Sequence, residues 1–340
     1  MIELFQAQGF NLFDMDDDPC DFTDPNNDGT ASAAACIGTN PWQVTAAQST
    51  SGLVTNPSGQ YNFLQGGNPD LEPEESDTIT LGVVFTPSFL PRFNLTLDYF
   101  NIEVSNLIGA IGQLNTISAC YDNNVAAACQ LIRRDPGTGG LWLAEGNVVD
   151  TNVNIGGLKT SGMDVNANYS IDLADLGADQ WGRLGFGFVG TWLKELETDT
   201  GLGFSNSVYD CAGFYANQCG VPNPEWRHRA RVTWETPWNV QFAGTWRYYS
   251  EVEIGVLGTD GSLNNSIDRI DKNLEAQNYF DIAADWQVRD NLSLRAGVNN
   301  VFDDDPPLSY SVGTTGNNNT YPQLYDSMGR YFFLGLTANF

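Results

Sequence analysis

The side chains best suited to hold a metal ion lie in an acidic stretch near the start of the chain, between Asp14 and Asp28. Within it, the run D-P-N-N-D-G matches the first half of a calcium-binding loop, where oxygens at alternate positions surround the ion and a glycine allows the sharp turn. The bidentate acid that completes such a loop is absent, because Ala35 stands at its position. We interpret Asp24, Asn26 and Asp28 as a candidate calcium site, with a solvated acidic loop as the alternative. No other cofactor is indicated.

The six cysteines of the chain occur as three close pairs. Pairing between neighbours is the simplest of the many connectivities that six cysteines permit. Disulfides of this kind indicate an oxidising compartment, such as the periplasm or the cell surface. Metal binding by thiolates is the weaker interpretation, since no C-x-x-C motif is present and the single His228 cannot complete a histidine-rich zinc site. The simplest disulfides join Cys20 to Cys36, Cys120 to Cys129, and Cys211 to Cys219.

Charged residues also recur at alternate positions in segments that read as β-strands, which places them on one face of a sheet. Across the turn at 289–291, equal steps bring Asp285 and Arg295 directly opposite each other if Val288 pairs with Leu292. Such a face is either a polar wall that binds a partner domain or a passing substrate, or a network that keeps an interior solvated and fixes the register of the strands. We favour the second interpretation. The residues of this face are Asp98, Asp164, Arg227, Arg229, Arg231, Arg247, Asp281, Asp285 and Arg295.

No arrangement of residues for catalysis is evident in the sequence. Serine, histidine and acidic residues are not arranged for nucleophilic catalysis, and His228 stands between Arg227 and Arg229, whose charges disfavour an imidazole base. No glycine-rich phosphate loop opens a helix either. We therefore do not expect an enzyme.

The elements that position the charged face are strands of alternating polarity, and the clearest of them runs from Met328 to Phe340. Phe332, Leu334 and Leu336 lie on its wholly apolar face, while the other face mixes small, polar and aromatic residues. A strand that presents apolar side chains on one face and ends the chain on an aromatic residue is typical of the closing strand of a membrane barrel.

Composition is compatible with this class of protein. The chain has 340 residues and a formal net charge of -27, with 12% aromatic and 17% charged residues. No run of about eighteen uncharged apolar residues is present, so a transmembrane helix is excluded. The acidic excess argues against a nucleic-acid partner, because phosphate binding requires clustered lysine and arginine. A soluble β-sandwich would share this composition, which therefore does not decide between the two.

Turns and loops alternate in length along the chain. Predicted strands of about ten residues are joined alternately by short turns and by much longer loops. We count about nine strands plus a stub at residues 1–5. Residues 6–74 are polar and irregular, and 116–134 are predicted to hold a short loop helix stapled by a disulfide. All long loops fall on the side opposite Phe340, and tryptophans near strand ends fit interfacial girdles.

Several motifs resemble those of the TonB-dependent outer-membrane receptors, in the right order along the chain. The run N-P-D-L-E-P-E at 68–74 is similar to the N-P-N-L box, followed by P-E, that precedes a barrel strand in that family. The run N-N-V-F-D at 299–303 resembles the family signature G-V-x-N-L-F-D. The final sixteen residues, Y-D-S-M-G-R-Y-F-F-L-G-L-T-A-N-F, resemble the end of these receptors. The similarity covers essentially the whole chain.

The resemblance implies an all-β fold, namely an antiparallel transmembrane β-barrel with long extracellular loops. Residues 1–340 would form its C-terminal portion only, with about nine to ten of the roughly twenty-two strands that close such a barrel around its plug. The plug domain and the first half of the barrel are expected to lie outside this sequence. The resemblance also implies the outer membrane of a Gram-negative bacterium, contact with its lipid, TonB as the energy-coupling partner through the N-terminal part, and Phe340 as the barrel-end signal.

The function implied by the resemblance is TonB-dependent active uptake of a scarce small-molecule ligand, such as a ferric siderophore, a vitamin or a carbohydrate. Haem is disfavoured because no histidine lies in a predicted loop, although tyrosine could replace it as axial ligand. Two alternatives stay open, a passive outer-membrane porin and a secreted β-rich binding module. The N-P-D-L box and the N-N-V-F-D segment argue against the porin.

Overall fold

The structure, a computed structural model, describes residues 2–15, 17–23, 31–201, 208–215, 219–255, 272–309 and 319–339. Up to residue 172 the described elements are α1 Ile2–Phe5, β1 Gly9–Asp14, α2 Ala33–Cys36, β2 Gln60–Gln65, β3 Glu75–Phe85, β4 Asn94–Ser105, β5 Ile108–Gly109, α3 Gln113–Tyr121, α4 Ala126–Cys129, β6 Ile132–Arg133, β7 Asn147–Val149, β8 Val153–Asn154 and β9 Gly157–Asp172. A 3-10 turn at Leu173–Leu176 is followed by β10 Arg183–Asp199, β11 Val208–Asp210, β12 Phe214–Tyr215, β13 Trp226–Glu235, β14 Val240–Tyr249, β15 Val252–Ile254, β16 Asn273–Leu274, β17 Gln277–Arg289, β18 Leu292–Asn299 and β19 Tyr331–Ala338.

Nine long strands form one antiparallel sheet in the order β3-β4-β9-β10-β13-β14-β17-β18-β19, with β11 paired to the outer end of β10. Each long strand therefore neighbours the long strand before it, which confirms the predicted up-and-down arrangement. The predicted stub at residues 1–5 is wrong, because Ile2–Phe5 is helical. The carbonyl of Ile2 accepts the backbone N–H of Gln6, and the carbonyl of Gln6 accepts that of Gly67, so these groups are not available to a strand partner.

The two faces of the main sheet differ in polarity, as the alternation predicts. The outer face carries large apolar side chains such as Leu81, Leu334 and Leu336, which are 69%, 75% and 67% exposed. Leaving a leucine exposed to water forfeits about 1.5–3 kcal/mol relative to burial, so this face requires an apolar medium. The inner face carries asparagine, threonine, aspartate and arginine. No helix among the described residues is long and apolar enough to cross a membrane.

A compact module stands beyond one end of the sheet, where the sequence predicts an irregular loop over 6–74. Its four-stranded sheet, β1-β2-β7-β6, packs with α3 and α4 around a core that includes the fully buried Tyr61, Ile132, Leu141 and Val148. The expectation of an irregular segment is wrong because residues far apart in the chain, 9–65 and 113–149, complete one core together. The predicted loop helix stapled by Cys120 and Cys129 is confirmed.

A buried ion pair joins the two halves of this module. Arg134 donates to both carboxylate oxygens of Asp18 at 2.8 and 2.9 Å, and the two side chains are 2% and 0% exposed. The guanidinium also donates to the hydroxyl of Tyr121 at 2.9 Å and to the carbonyl of Gly139 at 2.8 Å. Disulfides Cys20–Cys36 and Cys120–Cys129 close the chain on either side of the pair, and Cys211–Cys219 closes a separate loop.

A second, smaller cluster lies beyond the ends of β13, β14 and β17. Strands β12, β15 and β16 form a three-stranded sheet there. Buried Tyr215 and Tyr321 pack edge to face with ring centroids 5.9 Å apart, and Tyr325 packs on Tyr249 at 6.3 Å. The segment 319–326, just before the last strand, is thereby held against the ends of the long strands.

Candidate functional site: the charged inner wall

The inner face of β13, β14, β17 and β18 holds a recess of about 360 Å³ rich in arginine. The strand register explains the grouping: Arg229 on β13 lies directly opposite Arg247 on β14, and Arg231 lies opposite Thr245, whose other neighbour is Asp281 on β17. We call this group the arginine recess. Its charged members are Arg229, Arg231, Arg247, Asp281 and Arg295.

Arg247 is the most tightly held charge of the recess. Its Nε and Nη2 donate to the carboxylate of Asp281, both at 2.9 Å, and Nη2 also donates to Asp326 at 2.5 Å. The guanidinium lies 5.0 Å from the ring centroid of Tyr279. Bidentate, charge-assisted pairing of this kind fixes the direction of a side chain as well as its charge.

Arg229 and Arg231 are not neutralised in the same way. Within the described part of the chain, neither forms a salt bridge. Arg231 has only uncharged cross-strand neighbours, Gly187 and Thr245, and like charges directly opposite each other, as in Arg229 and Arg247, destabilise a sheet. The recess therefore presents an uncompensated positive charge within a strongly acidic protein, and a bound anion would relieve it.

Asp285 and Arg295 are directly opposed, as the sequence predicts. Their Oδ1 and Nε atoms are 3.7 Å apart, and both side chains are exposed to about half their area, 43% and 57%. The predicted pairing of Val288 with Leu292 is wrong, because a bulge places Arg289 opposite Leu292. The bulge arises at the turn, where the side-chain amide of Gln287 donates to the carbonyl of Arg289 at 2.6 Å.

Two acidic members of the predicted face, Asp98 and Asp164, lie apart from the recess. Asp98 on β4 is directly opposite Asp164 on β9, and Asp164 accepts a hydrogen bond from the hydroxyl of Thr191 at 2.7 Å. Arg227 follows Thr191 in the same cross-strand row. Of the nine predicted residues, the structure thus brings together those named above as the arginine recess. It leaves Asp98, Asp164 and Arg227 elsewhere on the wall, while Asp285 does not line the recess but lies opposite its member Arg295.

Asp326 and Tyr279 contribute to the site and were not predicted. Tyr279 lies two residues before Asp281 on β17, so the alternation places it on the inner face. Its side chain is neutral, however, and therefore gave no indication of a charged site in the sequence. Asp326 lies in a loop, where alternation has no meaning, so no sequence signal could have assigned it to Arg247.

His228 is excluded from the inner wall, for a reason that differs from the one the sequence suggests. Its side chain lies on the outer face, opposite to those of its chain neighbours Arg227 and Arg229. There its Nδ1 accepts a hydrogen bond from the indole of Trp226 at 2.9 Å, and its ring stacks on Phe188 with centroids 5.2 Å apart. Aromatic packing, rather than neighbouring cations, defines its environment.

The candidate calcium site at Asp24, Asn26 and Asp28 lies outside the described residues, as does Phe340. In the described parts of the acidic stretch, Asp18 binds Arg134, and Asp21 accepts hydrogen bonds from Thr23 and Thr55. The residues that the structure covers contain no cluster of three or more histidine, cysteine, aspartate or glutamate side chains suited to a metal ion. The calcium site stays a prediction.

An antiparallel up-and-down sheet with an apolar outer face and a charged inner face defines part of an outer-membrane β-barrel. Residues 21–301 match the family-level sequence model described as TonB dependent receptor-like, beta-barrel. The chain belongs to this family, which comprises transporters rather than enzymes. No match to the sequence was found among curated proteins.

Solved structures with a similar fold include siderophore receptors. A single-residue variant of the ferric enterobactin receptor of Pseudomonas aeruginosa is 16% identical, with 83% of this chain and 33% of that chain covered and a TM-score of 0.52. The same receptor in complex with BCV-L6 is 16% identical, with 82% and 33% covered and a TM-score of 0.51. The siderophore receptor PirA of Acinetobacter baumannii is 17% identical, with 82% and 34% covered and a TM-score of 0.49. The chain thus spans about a third of the length of these receptors, and the first two similarities support the fold alone.

Proposed function

We propose that this chain is the C-terminal part of the barrel of a receptor in the Gram-negative outer membrane. The receptor takes up an anionic iron chelate of the ferric-siderophore class, with energy supplied by TonB through the plug and N-terminal part. Outer-membrane lipid covers the apolar outer face. Family membership supports the transport role, and it gives no support to the porin or to the secreted module.

The observation that carries the choice of ligand is the arginine recess. Ferric siderophores present anionic oxygen atoms around the iron, and the planar fork of arginine matches such groups with parallel hydrogen bonds. The formal net charge of -27 on this chain repels anions at long range, so a local group of uncompensated arginines is needed to hold one. Within the described part of the arginine recess, Arg229 and Arg231 are the arginines that no salt bridge holds.

The wall itself performs no chemical reaction in this proposal. Arg229 and Arg231 bind and orient the anionic face of the chelate, Arg247 adds a third cation, and Tyr279 holds the Arg247 guanidinium in place. Passage then depends on movement of the plug, which lies outside this chain.

The experiment is uptake of radioactive iron, supplied as a panel of ferric siderophores, by iron-starved cells that depend on the receptor produced from its full gene. Replacing Arg229 and Arg231 together with alanine should reduce uptake at low ligand concentration by at least about tenfold, because each lost charge-assisted hydrogen bond contributes about 1.5–3 kcal/mol. Arg289→Ala is the matched control, because Arg289 is an exposed arginine at the opposite, short-turn end of the sheet. Equal uptake by the double variant and the control would contradict the proposal.

A further inference from the structure

Arg247 is shared between two carboxylates that belong to different kinds of element. Asp281 lies on β17, the strand next to Arg247, and is held by two hydrogen bonds from Arg247 and one from the backbone N–H of Asn300 at 2.9 Å. Asp326 lies in the segment between residue 319 and β19, and its carboxylate reaches Arg247 through a single hydrogen bond to Nη2. One guanidinium therefore serves two negative charges, and Asp326 is the less firmly held of the two.

The contact between Asp326 and Arg247 spans 79 residues of sequence and ties a loop segment to the wall. The other hydrogen bond of Asp326 is weaker: its backbone N–H donates to the hydroxyl of Tyr279 at 3.3 Å. Tyr325 beside it is buried, but its hydroxyl has no hydrogen-bond partner among the described residues. The rings of Tyr321 and Tyr325 hold the neighbouring part of the segment in the aromatic cluster, while the ion pair is the charged contact that ties Asp326 itself to the wall.

The same guanidinium faces the uncompensated charges of the recess. Arg229 is directly opposite Arg247, and Arg231 lies one row further along the wall. An anion that binds Arg229 and Arg231 and also engages Arg247 meets the carboxylate of Asp326 on Nη2. The bound anion and the Asp326 carboxylate then repel each other, because both lie at the same edge of the guanidinium, next to Asp281. The repulsion is strong because the site is partly desolvated, and electrostatic interactions there exceed those in water.

We propose that Asp326 is an internal competitor for the anion site: its carboxylate occupies Arg247 in the empty receptor, and a bound anion displaces it and loosens the segment 319–330 on the wall. This inference rests on the proposed function, because it assumes that the recess binds an anion. It adds a coupling between anion binding and movement of the segment, which anion binding alone does not require. Ligand arrival on the wall is converted into movement of the loop that precedes the last strand.

The test uses inorganic pyrophosphate as the anionic probe and the receptor produced from its full gene, purified in detergent. All six cysteines of this chain are disulfide-bonded, so Gln323→Cys adds its one free thiol for a spin label on the exposed part of the segment; the receptor without this substitution, treated with the same label, measures any labelling outside this chain. Pyrophosphate should increase the mobility of this label. Asp326→Asn should lower the pyrophosphate concentration at half-saturation by about tenfold and should raise label mobility before any anion is added.

Asp305→Asn is the matched control, because it removes the same charge from an exposed position of the same connection between β18 and β19 without touching Arg247. It should leave the half-saturation concentration unchanged. Calorimetry on the same samples reports pyrophosphate binding independently of the label.

The outcomes separate the two claims. Pyrophosphate binding that depends on Arg229 but has the same midpoint in wild type and Asp326→Asn, with label mobility unchanged, would overturn the competitor role and leave the anion site standing. No calorimetric binding in either protein would overturn both. A tenfold gain in Asp305→Asn as well would show that general charge, not Asp326, controls the site, and would also refute the inference.

Discussion

The buried pair of Arg134 and Asp18 gives the sharpest prediction for the loop module. Asp18→Asn keeps the shape of the side chain but leaves the guanidinium, only 2% exposed, without its counter-charge. Removal of one partner from a buried ion pair typically costs about 3–5 kcal/mol. At about 1.4 kcal/mol per factor of ten, opening of the module should become at least a hundredfold more frequent.

Hydrogen exchange measured by mass spectrometry on the intact receptor is the assay. The informative peptides cover 60–65 and 147–149, whose strands pair in the centre of the module. Amides of the long strand β17 provide the internal reference, because none of its described residues belongs to the module's core. Asp18→Asn should speed exchange in the module and leave β17 unchanged.

A double variant, Asp18→Leu with Arg134→Met, tests the reasoning behind the magnitude. Replacing both charges with apolar side chains of similar volume removes the buried charge altogether, so it should cost less than Asp18→Asn alone. The reasoning is refuted if the double variant exchanges faster than the single variant, or if Asp18→Asn retains wild-type protection.

Three further predictions concern pH, an exposed pair and a close approach of strands. Burial raises the pKa of Tyr121 to about 12, above the unfolded value near 10. The contribution of Tyr121 to module stability is therefore complete below about pH 10 and is lost as the pH rises through 12. The difference in tyrosinate absorbance between wild type and Tyr121→Phe measures this pKa. Asp285→Asn should change the stability of the barrel by less than about 1 kcal/mol, because the pair with Arg295 is half-exposed at 3.7 Å; a large fall in the unfolding temperature on electrophoresis would contradict this. Gly297→Val should lower that temperature clearly, because a Cβ at this position would meet the carbonyl of Ile282 at 2.7 Å and an aromatic ring of β19.

The main sheet could be predicted from the sequence because alternation has one interpretation when the two faces meet different solvents. Apolar positions every second residue fix which face is outward, and the short turns fix which strands are neighbours. The opposition of Asp285 and Arg295 was predicted correctly although the pairing assumed at the turn was wrong, because the bulge restores the assumed register beyond it. The bulge at Val288 was not predicted, since it depends on how Gln287 closes the turn.

The loop module and the loop side of the recess could not be predicted because they depend on contacts distant in sequence. Asp18 meets Arg134 across 116 residues, and Asp326 meets Arg247 across 79. Neither alternation nor residue type indicates such partners. Alternation also cannot separate the arginine recess from the acidic row at Asp98 and Asp164, because all these residues share one face and differ only in register.

The central claim is that the arginine recess on the inner wall binds the anionic ligand of the receptor. Its most direct test is the dissociation constant of the ferric siderophore that best supports uptake, measured by titration calorimetry on the receptor produced from its full gene. The account predicts that Arg229→Ala and Arg231→Ala each weaken binding by about tenfold or more, while Arg289→Ala binds like wild type. Equal affinity in all these proteins would contradict it.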